Sequence, residues 1–171
     1  MAATKLYTRK TYNILDIAYL AGIIDGEGSI YIGNYSCNKE TGARYFQTNI
    51  QVTNTDKALV EWLFQKFGGR VNTRTPGQIA ENSRKQPYVW TISGELLTHI
   101  CELIHPFLIC KKRQAEIMLK MRATFTKEHR PKKGQHGIQS LDKELLDLRQ
   151  SIMDEMRSLH IRTWSYKNHG H

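Results

Sequence analysis

The sequence predicts an α+β fold, one domain with an appended helix. Three observations carry that prediction. Helix-period apolar segments alternate with strand-like ones in the order α-β-β-α-β-β-α-α, followed by a further helix. The strand-like segments come as two pairs, each joined through turn-forming residues. The length of 171 residues suits one domain with a substantial core.

The first helix is predicted over 13–25, where Ile14, Ile17, Leu20 and Ile24 recur three or four apart. Gly26-Glu27-Gly28 follows, then an alternating strand over 29–36, a turn-rich stretch at 38–42 and a second alternating strand over 45–53. Together they read as a hairpin. Asp56 is placed to cap a helix carrying Leu59, Val60, Leu63, Phe64 and Phe67, and Gly68-Gly69 stops it. Residues 70–75 and 88–92 form a second hairpin around a polar loop with Pro76, Gly77 and Pro87. Trp62 and Trp90 fall in apolar periodic segments and read as core. A helix over 94–104 ends before Pro106, and another is expected over 110–125. The organisation is therefore a core of residues 1–126, a basic linker at 127–137, and a C-terminal amphipathic helix with its tail at 138–171. Leu141, Leu145, Leu148, Ile152, Met156 and Leu159 mark the stripe of that last helix.

Charge narrows the function. Lys and Arg number 25 against 16 Asp and Glu, a formal net charge of +9, and the sequence pI is about 9.5. The expected partner is a polyanion, nucleic acid before an anionic membrane. Mean hydropathy is −0.52, and no apolar run approaches the roughly 18 residues of a spanning helix. Residues 1–10 carry basic side chains without an apolar stretch behind them, so no secretory signal is expected. Cys37, Cys101 and Cys110 are odd in number and widely spaced, which excludes a disulfide scaffold and disfavours structural zinc. The expected setting is a reducing intracellular one, a bacterial or archaeal cytoplasm or an organelle.

The run Leu20-Ala21-Gly22-Ile23-Ile24-Asp25-Gly26-Glu27-Gly28 concentrates the chemistry. On a helix, Ala18, Ala21, Gly22 and Asp25 form a strip of mostly small residues, the kind that lets a second backbone approach closely. Asp25 and Glu27 then stand where the helix ends, against the negative end of its dipole. A divalent cation would repair that placement.

LAGIIDGEG resembles the signature of the LAGLIDADG homing endonucleases, single-motif type. The resemblance runs over about residues 13–123 and includes Pro106-Phe107-Leu108 and Lys111-Lys112-Arg113-Gln114-Ala115. It implies an αββαββα fold with a curved four-stranded antiparallel sheet and extra C-terminal helices. It also implies a homodimer packed through Ala18, Ala21, Gly22 and Asp25. In that reading Glu27 is the metal-binding carboxylate and the Gly26 carbonyl an auxiliary ligand for Mg²⁺, with Mn²⁺ as a substitute and Ca²⁺ supporting binding without cleavage. Lys111 matches the family's lysine near the reacting phosphate, and Asn54 matches a polar position more often occupied by Gln. Glu27 itself replaces a more frequent Asp, and Ala58 stands where the family has a basic residue, leaving Lys57 as a neighbouring substitute. Asp25 reads as structural rather than catalytic.

The implied activity is a staggered double-strand break in a long, roughly palindromic DNA target by metal-dependent phosphodiester hydrolysis. The alternatives on the same scaffold are a maturase that binds intron RNA and an inactive DNA-binding regulator.

Strand alternation supplies the matching nucleic-acid face. Tyr31, Gly33 and Tyr35 share one side of the first strand, and Tyr45, Gln47, Asn49 and Gln51 one side of the second, while Phe46, Thr48, Ile50 and Val52 face the helices. In the second hairpin Asn72, Arg74 and Val89 point outward, and its loop adds Gln78, Arg84 and Lys85. Gln, Asn and Arg are the side chains that read base edges in the major groove. Between Gly42 and Gln51 no acid appears, and Lys132 and Lys133 in the linker are placed for phosphate contacts.

Overall fold

Helix α1, Ile14–Glu27, starts where the Asn13 side chain accepts the Leu15 amide at 2.9 Å. It ends where the Gly28 amide donates to the carbonyls of Ile23 and Ile24. A Cβ on Gly28 would lie 2.7 Å from the Ile24 Cα, so only glycine fits this joint. The helix runs two residues past the expected end at Asp25, because this backbone cap extends it beyond the apolar periodicity. Glu27 is therefore its last residue.

The computed structural model describes residues 11–36, 44–74, 85–125 and 143–159. After α1 come β1 (Gly28–Ser36), β2 (Arg44–Asn54), α2 (Lys57–Phe67), β3 (Arg70–Thr73), β4 (Tyr88–Ser93) and α3 (Gly94–Ile104). A 3-10 turn at His105–Phe107 leads to α4 (Lys112–Ala123), and α5 covers Lys143–Ser158. The strands form one curved antiparallel sheet in the order β1-β2-β4-β3. Both expected hairpins are present, and α2 returns the chain so that β4, not β3, lies beside β2.

Register sorts the sheet into two faces. Ile30 stands opposite Ile50 and Ile50 opposite Ile92, while Val52 faces Trp90, and all of these are buried beneath the helices. Against them pack Ile17, Leu20, Ala21 and Ile24 of α1, Val60, Leu63 and Phe67 of α2, and the apolar stripes of α3 and α4. Each such large side chain contributes about 1.5–3 kcal/mol on burial. Trp90 is fully buried, its indole N–H donating to the Gly68 carbonyl at 2.7 Å. Trp62 is half-buried between the edge of Tyr19 and Phe67.

Helix α5 joins the same core through Ile152, Met153 and Met156. Its buried face is rotated from the expected stripe. Leu148 and Leu159 are exposed, and Arg149 is buried instead. Arg149 explains the rotation. Its guanidinium donates to the Thr124 hydroxyl at 2.9 Å and the Thr124 carbonyl at 2.7 Å, beside the end of α4, and its charge sits 4.2 Å from the centre of the Phe125 ring. Arg122 lies over the same ring at 4.9 Å. Burial, then the neighbouring Arg122 charge, lowers the Arg149 pKa. The linker at 127–137 and the expected start of the last helix at 138–142 lie outside the described residues. Among the described residues, no helix is long and apolar enough to cross a membrane.

Candidate functional site

The pairing of Gly28 with Val52 brings the end of β2 beside the joint between α1 and β1. There the Asn54 side-chain amide donates to the Glu27 carboxylate. The Asn54 oxygen accepts the Asp56 amide at 2.7 Å, and Asp56 in turn accepts the Ala58 amide at 2.9 Å to cap α2. Asn54 thus makes the turn and also meets the exposed Glu27.

Lys111 reaches the same helix end from the other side. Its ammonium donates to the Asp25 carbonyl at 2.5 Å, and its backbone amide donates to Asp25 Oδ1 at 2.8 Å. Asp25 Oδ2 accepts the amides of Ile109 at 2.7 Å and Cys110 at 3.2 Å. Burial pushes the Asp25 carboxyl up, but the three amides and the Lys111 charge outweigh it and hold it below the ordinary carboxylate value.

Two residues of the expected intersubunit strip are placed differently. Asp25 turns its carboxylate onto its own chain, because the segment before α4 offers three amides there. Ala21 is fully buried, since it stands one turn from both Ile17 and Ile24 on the core side. The exposed strip is instead Leu15, Ala18, Gly22 and Gly26, flanked by Ile14 and Tyr19. A Cβ built on Gly22 or Gly26 would meet nothing within 4 Å.

The basic shell is sparse at α2. Lys57 pairs with Glu61 on its own helix at 3.0 Å, and that hydrogen bond and charge raise its pKa. Ala58 is exposed and contributes its amide to the Asp56 cap.

On the sheet face away from the core, Gln47, Asn49, Gln51, Asn72, Arg74 and Val89 line one polar trough. Arg70, Thr73 and Thr91 complete it and were not anticipated. Arg70 had a signal, since it shares the two-residue period of Asn72 and Arg74. Asn49 is buried within this face, and its Oδ1 has no hydrogen-bond partner among the described residues. Gly33 is buried, and the Tyr31 ring covers it so closely that a Cβ would lie 2.6 Å from Tyr31 Cε1. Tyr31 and Tyr35 are exposed and share a hydrogen bond, which with burial raises the Tyr31 pKa. Tyr45 stands opposite Tyr35 in the register, and Lys85 is exposed. Gln78, Arg84, Lys132 and Lys133 lie outside the described residues.

Comparison with known proteins identifies the family and the fold. A family model described as LAGLIDADG endonuclease fits residues 20–120. No curated protein matches the chain. Among solved structures, the homing endonuclease I-CvuI in complex with its target and calcium superposes with a TM-score of 0.68 at 19% identity, covering 85% of this chain and 82% of that one. The archaeal intron-encoded homing endonuclease I-Vdi141I, complexed with DNA, gives 0.55 at 18% identity over 84% and 98%. I-SmaMI, bound to cleaved DNA, gives 0.64 at 18% identity, covering 89% of this chain but 47% of that one.

Proposed function

The chain belongs to the LAGLIDADG endonuclease family, and on that premise we propose that it is a homodimeric, divalent-metal-dependent DNA endonuclease. The observation that carries the reading is the convergence at one helix end of Glu27 from α1, Asn54 from β2 and Lys111 from the cap of α4.

Dimerisation is supported by Gly22 and Gly26. Gly22 costs the helix interior about 1 kcal/mol relative to alanine, yet among the described residues nothing crowds it or Gly26. A twofold contact through the exposed strip gives that smallness a use. The chain also spans about half of I-SmaMI, as one of two halves would.

The donor chemistry suits Mg²⁺, a hard cation that takes carboxylate and carbonyl oxygens and keeps several waters. The described residues contain no group of three or more His, Cys, Asp or Glu side chains that could hold an ion. Glu27 with the Gly26 carbonyl, from each of two subunits, makes an open site that leaves room for waters and phosphate oxygens. When bound, the metal supplies activation of water and charge stabilisation on the leaving oxygen. Asn54 orients the Glu27 carboxylate, and Lys111 brings positive charge near the reacting phosphate.

DNA is the substrate this reading assigns, bound along the trough by Gln47, Gln51, Arg70, Asn72 and Arg74, with exposed Lys85 assigned to a phosphate. Lys132, Lys133 and Arg84 are assigned to phosphate contacts on the sequence alone. A long, roughly palindromic site and a staggered break follow from two such half-sites around a dyad. Intron RNA as the partner finds no support.

The direct test incubates the protein with a duplex spanning the insertion point of its own reading frame, with and without Mg²⁺. Mg²⁺-dependent cutting of both strands near the dyad supports the proposal, and an intact duplex under conditions of tight binding overturns it.

A further inference from the structure

We propose that Asp25 is a positioning residue for Lys111, an inference that rests on the nuclease reading above. A carboxylate in the last turn of a helix faces the negative end of that helix's dipole, so its place in α1 needs a compensating partner. The partner is the segment that opens α4. Lys111 occupies the cap position of α4 and makes no side-chain cap bond there. Asp25 supplies what that side chain does not: its two oxygens accept the amides of Ile109, Cys110 and Lys111. The acid that is unfavourable for α1 is thereby favourable at the start of α4.

The segment so held has few other anchors. Leu108 is buried, but Ile109 is 87% exposed and Cys110 is exposed. Lys111 is then gripped twice by one residue, its amide on the Asp25 carboxylate and its ammonium on the Asp25 carbonyl. That carbonyl lies two residues before Glu27 in the same helical turn. Removing the carboxylate frees the backbone of 109–111, and the Lys111 ammonium loses its fixed distance from the Glu27 site. Displacement of a catalytic group by about 1 Å can cost about 10²-fold in rate.

The test uses the full chain and the same insertion-point duplex, with single-turnover cleavage in Mg²⁺, binding in Ca²⁺, and amide hydrogen exchange at 109–111. Asp25→Ala and Lys111→Ala should each slow cleavage about 10²-fold, with binding retained. The double variant should be no slower than either alone, because both changes remove the same placed ammonium. Asp25→Asn keeps one acceptor oxygen and should recover part of the rate and part of the amide protection, a rescue that general loss of packing would not produce. Wild-type cleavage by Asp25→Ala, or losses that multiply in the double variant, would overturn the proposal. If Asp25→Ala does not fold, Asp25→Asn alone and combined with Lys111→Ala makes the same comparison. Failure of the nuclease reading is distinct: the wild-type protein then leaves the bound duplex uncut, and the positioning role of Asp25 falls with it. Failure of positioning alone appears as a cutting wild type and equally fast variants.

Discussion

Asn54 donates its side-chain amide to the Glu27 carboxylate while its oxygen accepts the Asp56 amide, so one asparagine joins the end of β2 to the end of α1 and opens the turn into α2. The bond gives Glu27 a defined orientation on a helix end where it is otherwise exposed.

Glu27→Gln should reduce cleavage by at least about 10³-fold and leave binding in Ca²⁺ nearly intact, since it preserves length and removes only charge. Asn54→Ala should slow cutting less and also loosen the α2 cap turn. Plasmid linearisation beside a binding assay reads both. Undiminished cleavage by the Gln variant would remove Glu27 from the site.

Gly22→Leu should leave the fold of each chain intact, because a side chain there meets open space. Helix propensity alone favours the leucine by up to about 1 kcal/mol. The wild type should be a dimer by light scattering and the variant a monomer with an unchanged or higher melting temperature. A variant that stays dimeric would place the interface elsewhere.

Arg74→Ala should relax base preference at one position in each half-site and weaken specific binding by about 1–3 kcal/mol. Arg70→Ala, from the same trough, should act at a different position. Lys132→Ala should weaken all sequences alike and lower the salt slope by about one. Unaltered preference profiles in both arginine variants would count against this face as the reader.

Arg149→Ala should destabilise the protein by about 2–3 kcal/mol through loss of two hydrogen bonds at Thr124 and the contact with Phe125. Arg149→Lys should restore little, since an ammonium cannot reproduce a planar fork over an aromatic ring. Urea unfolding with amide exchange over α5 measures this, and a loss below about 0.5 kcal/mol would mean that Ile152, Met153 and Met156 hold the helix unaided.

In a Cys37→Ser background at pH 8, an alkylating reagent should modify exposed Cys110 and spare Cys101. Burial pushes the Cys101 thiol up to about 12 from its ordinary 9.0. The folded chain then holds that proton more tightly than the unfolded one, so as pH rises from about 9 to about 12 stability should fall. Cys101→Ala should flatten that alkaline slope. Rapid labelling of Cys101 in the native protein would contradict its burial.

Strand alternation made much of this legible in the sequence. The apolar side of Phe46, Thr48, Ile50 and Val52 and the polar side of Gln47, Asn49 and Gln51 follow from a period of two, and both hairpins from their turns. The Asp56 cap was also readable, whereas the bond between Asn54 and Glu27 came from the structure. Asp25 was not readable. Helical spacing shows that a strip exists, but it does not say whether another chain or a later segment of the same chain covers it. The burial of Ala21 in its own core was hidden for a related reason, because a small residue suits both a close helix contact and a tight core. Arg149 was hidden by its charge: an arginine on an amphipathic helix reads as solvent-facing until a helix end and an aromatic ring are seen beneath it.

The two faces of the sheet also separate what can drift from what cannot. Gln47, Gln51, Asn72 and Arg74 touch the trough and stand clear of the apolar core, so descendants of this chain can exchange them at little cost in folding. Asn49 and Thr91 sit in the same trough but are buried. Lineages that diverge in target should therefore vary freely at the first four positions and hold the last two nearly still.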